Sequence, residues 1–554
     1  MDEVYTTLKK KLSGEVTRDI DARVAVSRDA SIYELVPELV VAPKDSADLK
    51  NLVRYVSKQK HAYPSLAITP RSAGTCMSGG PLGSSIVLNM TTHFNTIGAV
   101  KGTQLTVQPG AYMRDIDPVL AAKDLMLGCV PASRALCTIG GMVGNNAGGE
   151  QSLRYGNTER SVRELQVVLA DGNEYTIAPM NKKQLDQKMK EKTFEGRLYK
   201  QVYELIESHY DLIKNARPHV NKNSMGYNLW SVWDRHTGIF DMTRLFSGSQ
   251  GTLGLISNIT MQAVPKAKHT GLLLAYLESP KKLGDIIPAV MKHNPATFEG
   301  FDDITFGLGV KYNAMFRKQL GAKEWLREQR WLLRTVAKFK NHYPNIVLMI
   351  EFEGDSQDEV DRKINDLYKD LLPFKLKMDI EHTAAESAPF WVIRRASLAL
   401  LRNRVKDKYA SPFIDDMTVQ PKYLPEFLPK VRKVIKKYNL PATLAGHFGD
   451  GNFHIIPLLD IEGPQDQAKL EPVMRELIPI VLQYQGTMAG EHNDGMVRGP
   501  WLPAVFGDEM YQLFKNVKEM FDPQYIFNPH KKTDASWDYS MDHIRSRNSN
   551  GLIK

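Results

Sequence analysis

Two short stretches bring together side chains that bind ions and move protons. Gly446-His447-Phe448-Gly449-Asp450-Gly451-Asn452-Phe453-His454 places two imidazoles in one glycine-rich run. Gly490-Glu491-His492-Asn493-Asp494-Gly495 adds a carboxylate and a further imidazole. Two histidines close in sequence and a distant glutamate can give His, His and Glu to one ion. That set occurs at catalytic zinc sites with a position open to substrate. The histidine beside the glutamate could then take a proton. The same spacing also suits polar histidines in glycine-rich loops, and spacing alone leaves both readings standing.

Three other runs are rich in glycine: Pro70-Arg71-Ser72-Ala73-Gly74-Thr75-Cys76-Met77-Ser78-Gly79-Gly80, Thr138-Ile139-Gly140-Gly141-Met142-Val143-Gly144-Asn145-Asn146-Ala147-Gly148-Gly149, and Gly248-Ser249-Gln250-Gly251-Thr252-Leu253-Gly254-Leu255-Ile256. Pro131-Ala132-Ser133 precedes the second and Arg154-Tyr155-Gly156 follows it. A glycine turn after a strand lets consecutive N–H groups converge on a diphosphate. A plain surface turn reads the same way. None is a GxGxxG opening a helix, which disfavours a nicotinamide site. The density of Gly, Asn and Thr in the second run argues against a helix or strand interior and for backbone wrapped around a ligand.

These runs need a scaffold, and the 554 residues suffice for more than one core. Strands with a few helices alternate to about residue 265, as in the strand–Asp-Gly turn–strand of VRELQVVLADGNEYTI. KTFEGRLYKQVYELIESHYDLI predicts an amphipathic helix inside an insertion. From about 270, GLLLAYLES and NIVLMIEFEG predict strands, each followed by a charged helix, an α+β pattern with a central antiparallel sheet. The first thirty-odd residues read as helical. No apolar run is long enough to span a bilayer, and the acidic start does not resemble a targeting signal, so a cytoplasmic protein is expected. The net charge of +9 is scattered among acids. It reads as a solvated face, with a peripheral contact at the inner face of a membrane as the other expectation. No nucleic-acid-binding module is present. Three cysteines, Cys76, Cys129 and Cys137, cannot supply an iron–sulfur cluster from this chain alone.

The three glycine runs, in this order, resemble the FAD-binding domain of the vanillyl-alcohol oxidase and p-cresol methylhydroxylase superfamily. GHFGDGNFH and GEHNDG resemble the C-terminal signatures of the D-lactate and D-2-hydroxyglutarate dehydrogenases, and FDPQYIFNPHK the motif that returns to the flavin. The likeness runs from about 36 to 532. It implies an α+β chain: a helical segment over 1–35, a PCMH-type two-subdomain FAD-binding domain over 36–265 with a helical insertion at about 180–235, a substrate (cap) domain with an antiparallel sheet over 266–520, and a C-terminal segment over 521–554. The first loop, Pro70, Arg71, Ser72, Ala73, Gly74, Thr75, Ser78 and Gly79, would hold the pyrophosphate. The second, Pro131, Ser133, Thr138, Gly140, Gly141, Gly144, Asn145, Asn146, Gly148, Gly149 and Tyr155, would wrap the ribityl and isoalloxazine. Gly251, Gly254, Ile256 and Asn528 would close the site. The first loop has no histidine, and Cys137 is off the spacing of a cysteinyl link, so non-covalent FAD is expected.

The same resemblance implies that His447, His454 and Glu491 bind a divalent ion, Zn²⁺ or alternatively Mn²⁺, and that His492 is the general base. Arg394, after the tryptophan of Phe390-Trp391-Val392-Ile393-Arg394-Arg395, would grip the substrate carboxylate, with a surface salt bridge as the alternative. Lys406 or Lys408 could add another cation. The implied reaction is FAD-dependent oxidation of a D-2-hydroxy acid, D-lactate-like, with D-2-hydroxyglutarate or glycolate as alternatives. Electrons would pass to a quinone, a separate iron–sulfur subunit or another carrier, and a homodimer is expected. Ile456 stands where some relatives place asparagine, Gln250 where glutamate is usual, Asn493 and His530 where glycine is, and these departures leave the substrate open. A transferase of the same fold would need a phosphate grip not found here. A flavin subunit that only relays electrons would need neither metal ligands nor a base.

Overall fold

A computed structural model describes residues 1–311, 343–404 and 408–545, with a few positions between 325 and 339. Three sheets organise these residues. The first is four-stranded, with Ile68–Arg71 and Leu39–Ala42 both parallel to the Ile86–Asn89 strand between them. Glu15–Thr17 adds antiparallel at its edge. The N-terminal segment is therefore not wholly helical: between helices Asp2–Lys11 and Ile20–Ala25 the chain extends. Buried Val16 seats that short strand on the sheet. Helix Ser46–Gln59 covers the sheet, capped by Asp45 and burying Leu49, Leu52, Val53 and Val56.

The second sheet is five-stranded and antiparallel. At its centre Leu255–Gln262 runs between Gln104–Val107 and Val162–Val168. Its burial alternates strictly, as one covered face requires. Glu174–Ile177 closes a hairpin on Val162–Val168, with Gly172 at φ +72° in the turn. The expected helix of the insertion is two helices, Phe194–Ser208 and Tyr210–Asn215. His209 leaves helical geometry between them, and its Nδ1 lies 3.0 Å from the Leu205 carbonyl oxygen.

The third sheet is antiparallel and carries the chemistry. In order it sets Lys377–Glu381, His269–Leu277, Ile346–Gly354, Thr297–Asp302, Ala442–His447, Asn452–Leu459 and Tyr409–Ala410 side by side, with Met417–Thr418 pairing Asn452–Leu459. Helices Leu283–Met291, Gln357–Leu371, Leu424–Lys437 and Pro464–Gln483 bury their apolar stripes in the core that includes one face. Phe390, Trp391 and Ile393 of helix Ala384–Arg404 join the smaller core on the other. No helix among the described residues is long and apolar enough to cross a membrane.

After helix Leu502–Phe521 the chain returns to the first sheet. Ile68 donates its N–H to the Ile526 carbonyl (2.8 Å), and Asn528 donates to the Ile68 carbonyl (2.9 Å). Lys518, wholly buried, secures this return. Its ammonium donates to the carbonyls of Thr252 and Phe527, both at 2.8 Å, and to Asp522 Oδ2 at 2.6 Å. Lys518→Met removes every one of these donors at once. It should lower unfolding stability by about 3–5 kcal/mol, the cost of leaving one partner of a buried pair uncompensated. An unchanged denaturant midpoint would show that the tie does not hold the C-terminal segment.

Candidate active site

The histidines are positioned by a hairpin. Strands Ala442–His447 and Asn452–Leu459 pair with His447 opposite Asn452 and Ala445 opposite His454. The period-two pleat puts residues 445 and 447 on one face, so both imidazoles emerge together. Their ring centroids are 5.2 Å apart. The turn between the strands passes Gly451 at φ +67°, where a Cβ would collide with the Val419 carbonyl. Glu491 and His492 come from the loop after the cap helices, where one side chain holds both of their N–H groups. Asp416 Oδ2 accepts from the N–H groups of Glu491 (2.8 Å) and His492 (2.7 Å).

Each imidazole has its Nδ1 against a buried carboxylate. His447 Nδ1 lies 2.5 Å from Glu299 Oε1, His454 Nδ1 3.0 Å from Asp415 Oδ1, and His492 Nδ1 2.7 Å from Asp415 Oδ2. In the neutral ring, a carboxylate at Nδ1 favours the tautomer that leaves the lone pair on Nε2. All three Nε2 atoms face a single oxygen, Glu491 Oε1, at 3.4, 3.2 and 3.7 Å. Burial opposes charge on these rings, but Asp415 outweighs it and pushes His454 and His492 up to about 9. Burial and Glu299 compete likewise at His447, whose pKa is raised. Glu491, despite its burial, is held well below the usual carboxylate range by Lys222 and His447. Electron-rich imidazoles converging on an ionised carboxylate are a donor set for a divalent cation. The ligand atoms of His447, His454 and Glu491 lie within 4.8 Å of one another, and these residues fit such an ion. Asp415, His454 and His492 form a second group of that size. Asp415 already hydrogen-bonds His454 Nδ1 through Oδ1 and stands at ion-pair distance from His492 Nδ1 through Oδ2, which suits an outer partner.

Arg394 is buried, and its Nε and Nη2 lie 3.1 and 2.9 Å from Glu299 Oε2. It thus adjoins the cluster through the carboxylate that orients His447, in a buried pair and not a surface one. Arg395 turns away to Glu150. Lys408 stands near Asp466, and Lys406 lies outside the described residues.

The glycine runs line a cleft open to solvent. Pro70, Ser72, Ala73, Gly74, Thr75, Thr138, Gly140, Gly141, Gly144, Asn145, Gly251, Gly254 and Ile256 line it, and Cys76, Pro109, Gln250 and Leu255 join them. Among the described residues no acidic side chain lines the cleft. The N–H groups of Ser72, Ala73, Gly74 and Thr75 pair with no backbone carbonyl there. Such a loop suits a diphosphate. Against expectation, the second run makes a short helix, Ile139–Asn145. Thr138 caps it, Ile139, Met142 and Val143 anchor it in the core, and Asn146 ends it at φ +52°. Gly140 is needed because a Cβ would come within 2.7 Å of the Pro109 carbonyl. At Gly144 a Cβ would meet nothing nearer than Gln250 Cα at 4.0 Å and would stand in the cleft. An elongated cofactor such as FAD fits this neutral, glycine-floored groove.

The remaining expected residues stand behind the lining. Arg71 is buried and donates to the Arg28 carbonyl at 2.7 Å. Ser78 Oγ donates to the His492 carbonyl (3.1 Å), and Gly79 N–H to Asp29 (3.0 Å). Pro131 and Ser133 lie in the partly exposed loop before Thr138. Asn146 donates to Glu159 at 2.9 Å. Gly149 packs on Val130, Tyr155 on Gly128, and Gly148 lies so close to Glu491 Oε2 that a Cβ would collide with it. Asn528 donates to the carbonyls of Gly80 and Gln250, at 2.9 and 2.6 Å. His530 stacks on Tyr539, with centroids 3.9 Å apart. Glu299, Lys222 and the Asp415–Asp416 pair escaped the sequence reading. The aspartates sit in the conspicuous PFIDDMTVQ, whereas Glu299 lies in an ordinary strand.

The loop of residues 490–495 joins cluster and cleft. Asn493 donates to the Asn145 carbonyl (3.0 Å), Gly495 N–H to Gln250 Oε1 (2.8 Å), and Asn157 to the Gly490 carbonyl (2.8 Å). Gly144→Leu should therefore leave the fold intact and abolish flavin retention. Flavin absorbance per chain after gel filtration, with circular dichroism as the control, measures it. Full flavin content in that variant would place the cofactor elsewhere.

Residues 37–178 match the FAD binding domain family, and residues 266–532 the C-terminal domain of the FAD linked oxidases. The chain is 26% identical over 539 residues to a D-2-hydroxyglutarate dehydrogenase of Pantoea ananatis, covering 95% of this chain and 51% of that protein. It thus spans about half the length of that relative. It is 28% identical over 520 residues to the glycolate oxidase subunit GlcD of Bacillus subtilis, covering 92% of each. The solved structure of p-cresol methylhydroxylase with substrate bound superposes with a TM-score of 0.66 at 14% identity, covering 97% of each chain. That likeness shows the PCMH-type fold.

Proposed function

The chain belongs to the FAD-linked oxidases, and from that premise we propose that it oxidises a D-2-hydroxy acid to the corresponding 2-oxo acid. The observation that carries the reading is the convergence of three Nε2 atoms on Glu491 Oε1, on a loop bonded directly to the walls of the flavin cleft. An electron relay would have no use for it. FAD, when bound, supplies the acceptor for the hydrogen at C2 with its electron pair. A divalent ion on His447, His454 and Glu491, zinc or manganese, supplies polarisation of the substrate oxygens.

The protein's own groups do the rest. The raised pKa of His492 would be lowered by a divalent ion on the neighbouring ligands, so that its neutral ring can take the hydroxyl proton at Nε2 while Asp415, beside Nδ1, stabilises the imidazolium that results. Glu299 grips Nε and Nη2 of Arg394, and the Nη1 edge is left for the substrate carboxylate. The names of the two relatives support the substrate class, a 2-hydroxy acid. Within that class the cap favours a short apolar side chain. Ile456, two residues after His454 on the same strand face, joins Phe301 and Trp391 in one apolar cluster, with Met77 of the flavin side packed on it. A second substrate carboxylate placed there would be desolvated without a partner. This favours a D-lactate-like substrate over D-2-hydroxyglutarate. The relative named as a subunit supports transfer of the electrons to a separate protein, with a quinone or another carrier as the alternative acceptor.

Two measurements test the proposal. Under anaerobic conditions D-lactate should bleach the flavin faster than D-2-hydroxyglutarate or any L-acid, and chelation should stop the bleaching while flavin stays bound. Bleaching indifferent to chelation would remove the metal from the reaction. His492→Ala should keep its flavin and slow flavin reduction by about 10²–10⁴-fold, the usual contribution of a positioned base. Reduction at the normal rate would rule out His492 as the base.

A further inference from the structure

We infer that Lys222 makes Glu491 a one-oxygen ligand and thereby keeps coordination positions of the ion open for the substrate, an assignment that rests on the metal-assisted reading above. Lys222 is wholly buried. Its Nζ lies 3.3 Å from Glu491 Oε2, 3.5 Å from Asp450 Oδ2 and 3.1 Å from the Gly149 carbonyl. It donates hydrogen bonds to the Gly149 carbonyl and to Glu491 Oε2, and Asp450 Oδ2 stands at ion-pair distance. The two oxygens of Glu491 therefore lean toward different partners: Oε2 takes Lys222, and Oε1 is the nearer oxygen at each of the three imidazoles. A second, independent contact closes the same side, because Gly148 abuts Oε2 too tightly to admit even a Cβ.

The division has a chemical consequence. A carboxylate that chelates through both oxygens takes two positions on an ion, and one that binds through Oε1 takes one. With two histidines the protein then supplies three donors, the number that keeps a catalytic ion open. A 2-hydroxy acid carries a hydroxyl and a carboxylate on adjacent carbons and can present two oxygens to one ion. Lys222 is thus a positioning residue: it touches no reacting atom and acts through Glu491. A tie with a purely structural role would leave the coordination number of the ion indifferent to its removal.

X-ray absorption at the zinc edge on the FAD-loaded protein tests this, because the flavin is silent there. Wild type should show two imidazoles and a carboxylate bound through one oxygen. Lys222→Met, with its flavin and zinc content retained, should gain a protein oxygen at the metal. Its KM should rise by about 10- to 100-fold, the scale of lost outer-shell contacts at metal sites, and Lys222→Arg should restore both. An unchanged zinc environment in Lys222→Met overturns the assignment. Should that variant fail to fold, the wild-type spectrum alone decides, since a carboxylate bound through both oxygens overturns it equally. Wild type that takes up no divalent ion overturns the metal-assisted reading itself, a result distinct from either of these.

Discussion

The pairing of Nδ1 with a buried carboxylate, repeated at three imidazoles, is the constraint from which the site follows. An imidazole free to flip offers either nitrogen to its surroundings. Glu299 and Asp415 remove that freedom and set the tautomer. Asp415 does it for two rings at once, which also stacks His454 on His492 with centroids 5.1 Å apart. Putting Asp415 and Glu299 out of reach of water is expensive, and only a satisfied network of opposite charges makes it tolerable. Arg394, Lys222 and the histidines provide that network. The cap sheet exists, in this sense, to bring strands carrying Glu299, His447 and His454 to adjacent positions.

The flavin cleft obeys a different economy. Its walls hold little charge, and its shape depends on the absence of side chains. Gly140 permits helix Ile139–Asn145 to press on Pro109, and Gly144 leaves the groove open. The two halves meet where side-chain amides bond to backbone. Asn145 and Gln250 line the cleft and also hold the loop that carries Glu491 and His492. A ligand in the groove and an ion in the cluster are therefore neighbours by construction.

Much of this was legible in the residues. The histidine runs sit in short motifs because a hairpin and one loop deliver all four groups, and local spacing survives in sequence. The strand Leu255–Gln262 follows the third glycine run, but its place between two strands far earlier in the chain is a matter of pairing that local sequence does not encode. Glu299 was invisible for a related reason. Its meaning comes from a histidine in another strand, and nothing around Thr297–Asp302 marks it. The helix over Ile139–Asn145 defied its composition because tertiary contacts on Ile139, Met142 and Val143 override a poor propensity. Lys222 read as one more basic residue until its burial was seen.

The bonds of Asn528 behind the cleft wall also bear on how the molecule is made. Its amide bonds to the carbonyl of Gly80, 448 positions earlier, and the loop that packs on Ser78 begins beyond residue 490. Synthesis from the N-terminus leaves the groove unfinished until nearly all of the described chain has emerged. Contacts so distant in sequence are slow to form. A truncated or stalled product thus has the glycine loops but no completed groove, and its exposed strands wait longest for their partners. Cofactor capture becomes the late event of folding, and a shortage of the cofactor in the cell would be felt as a shortage of folded protein.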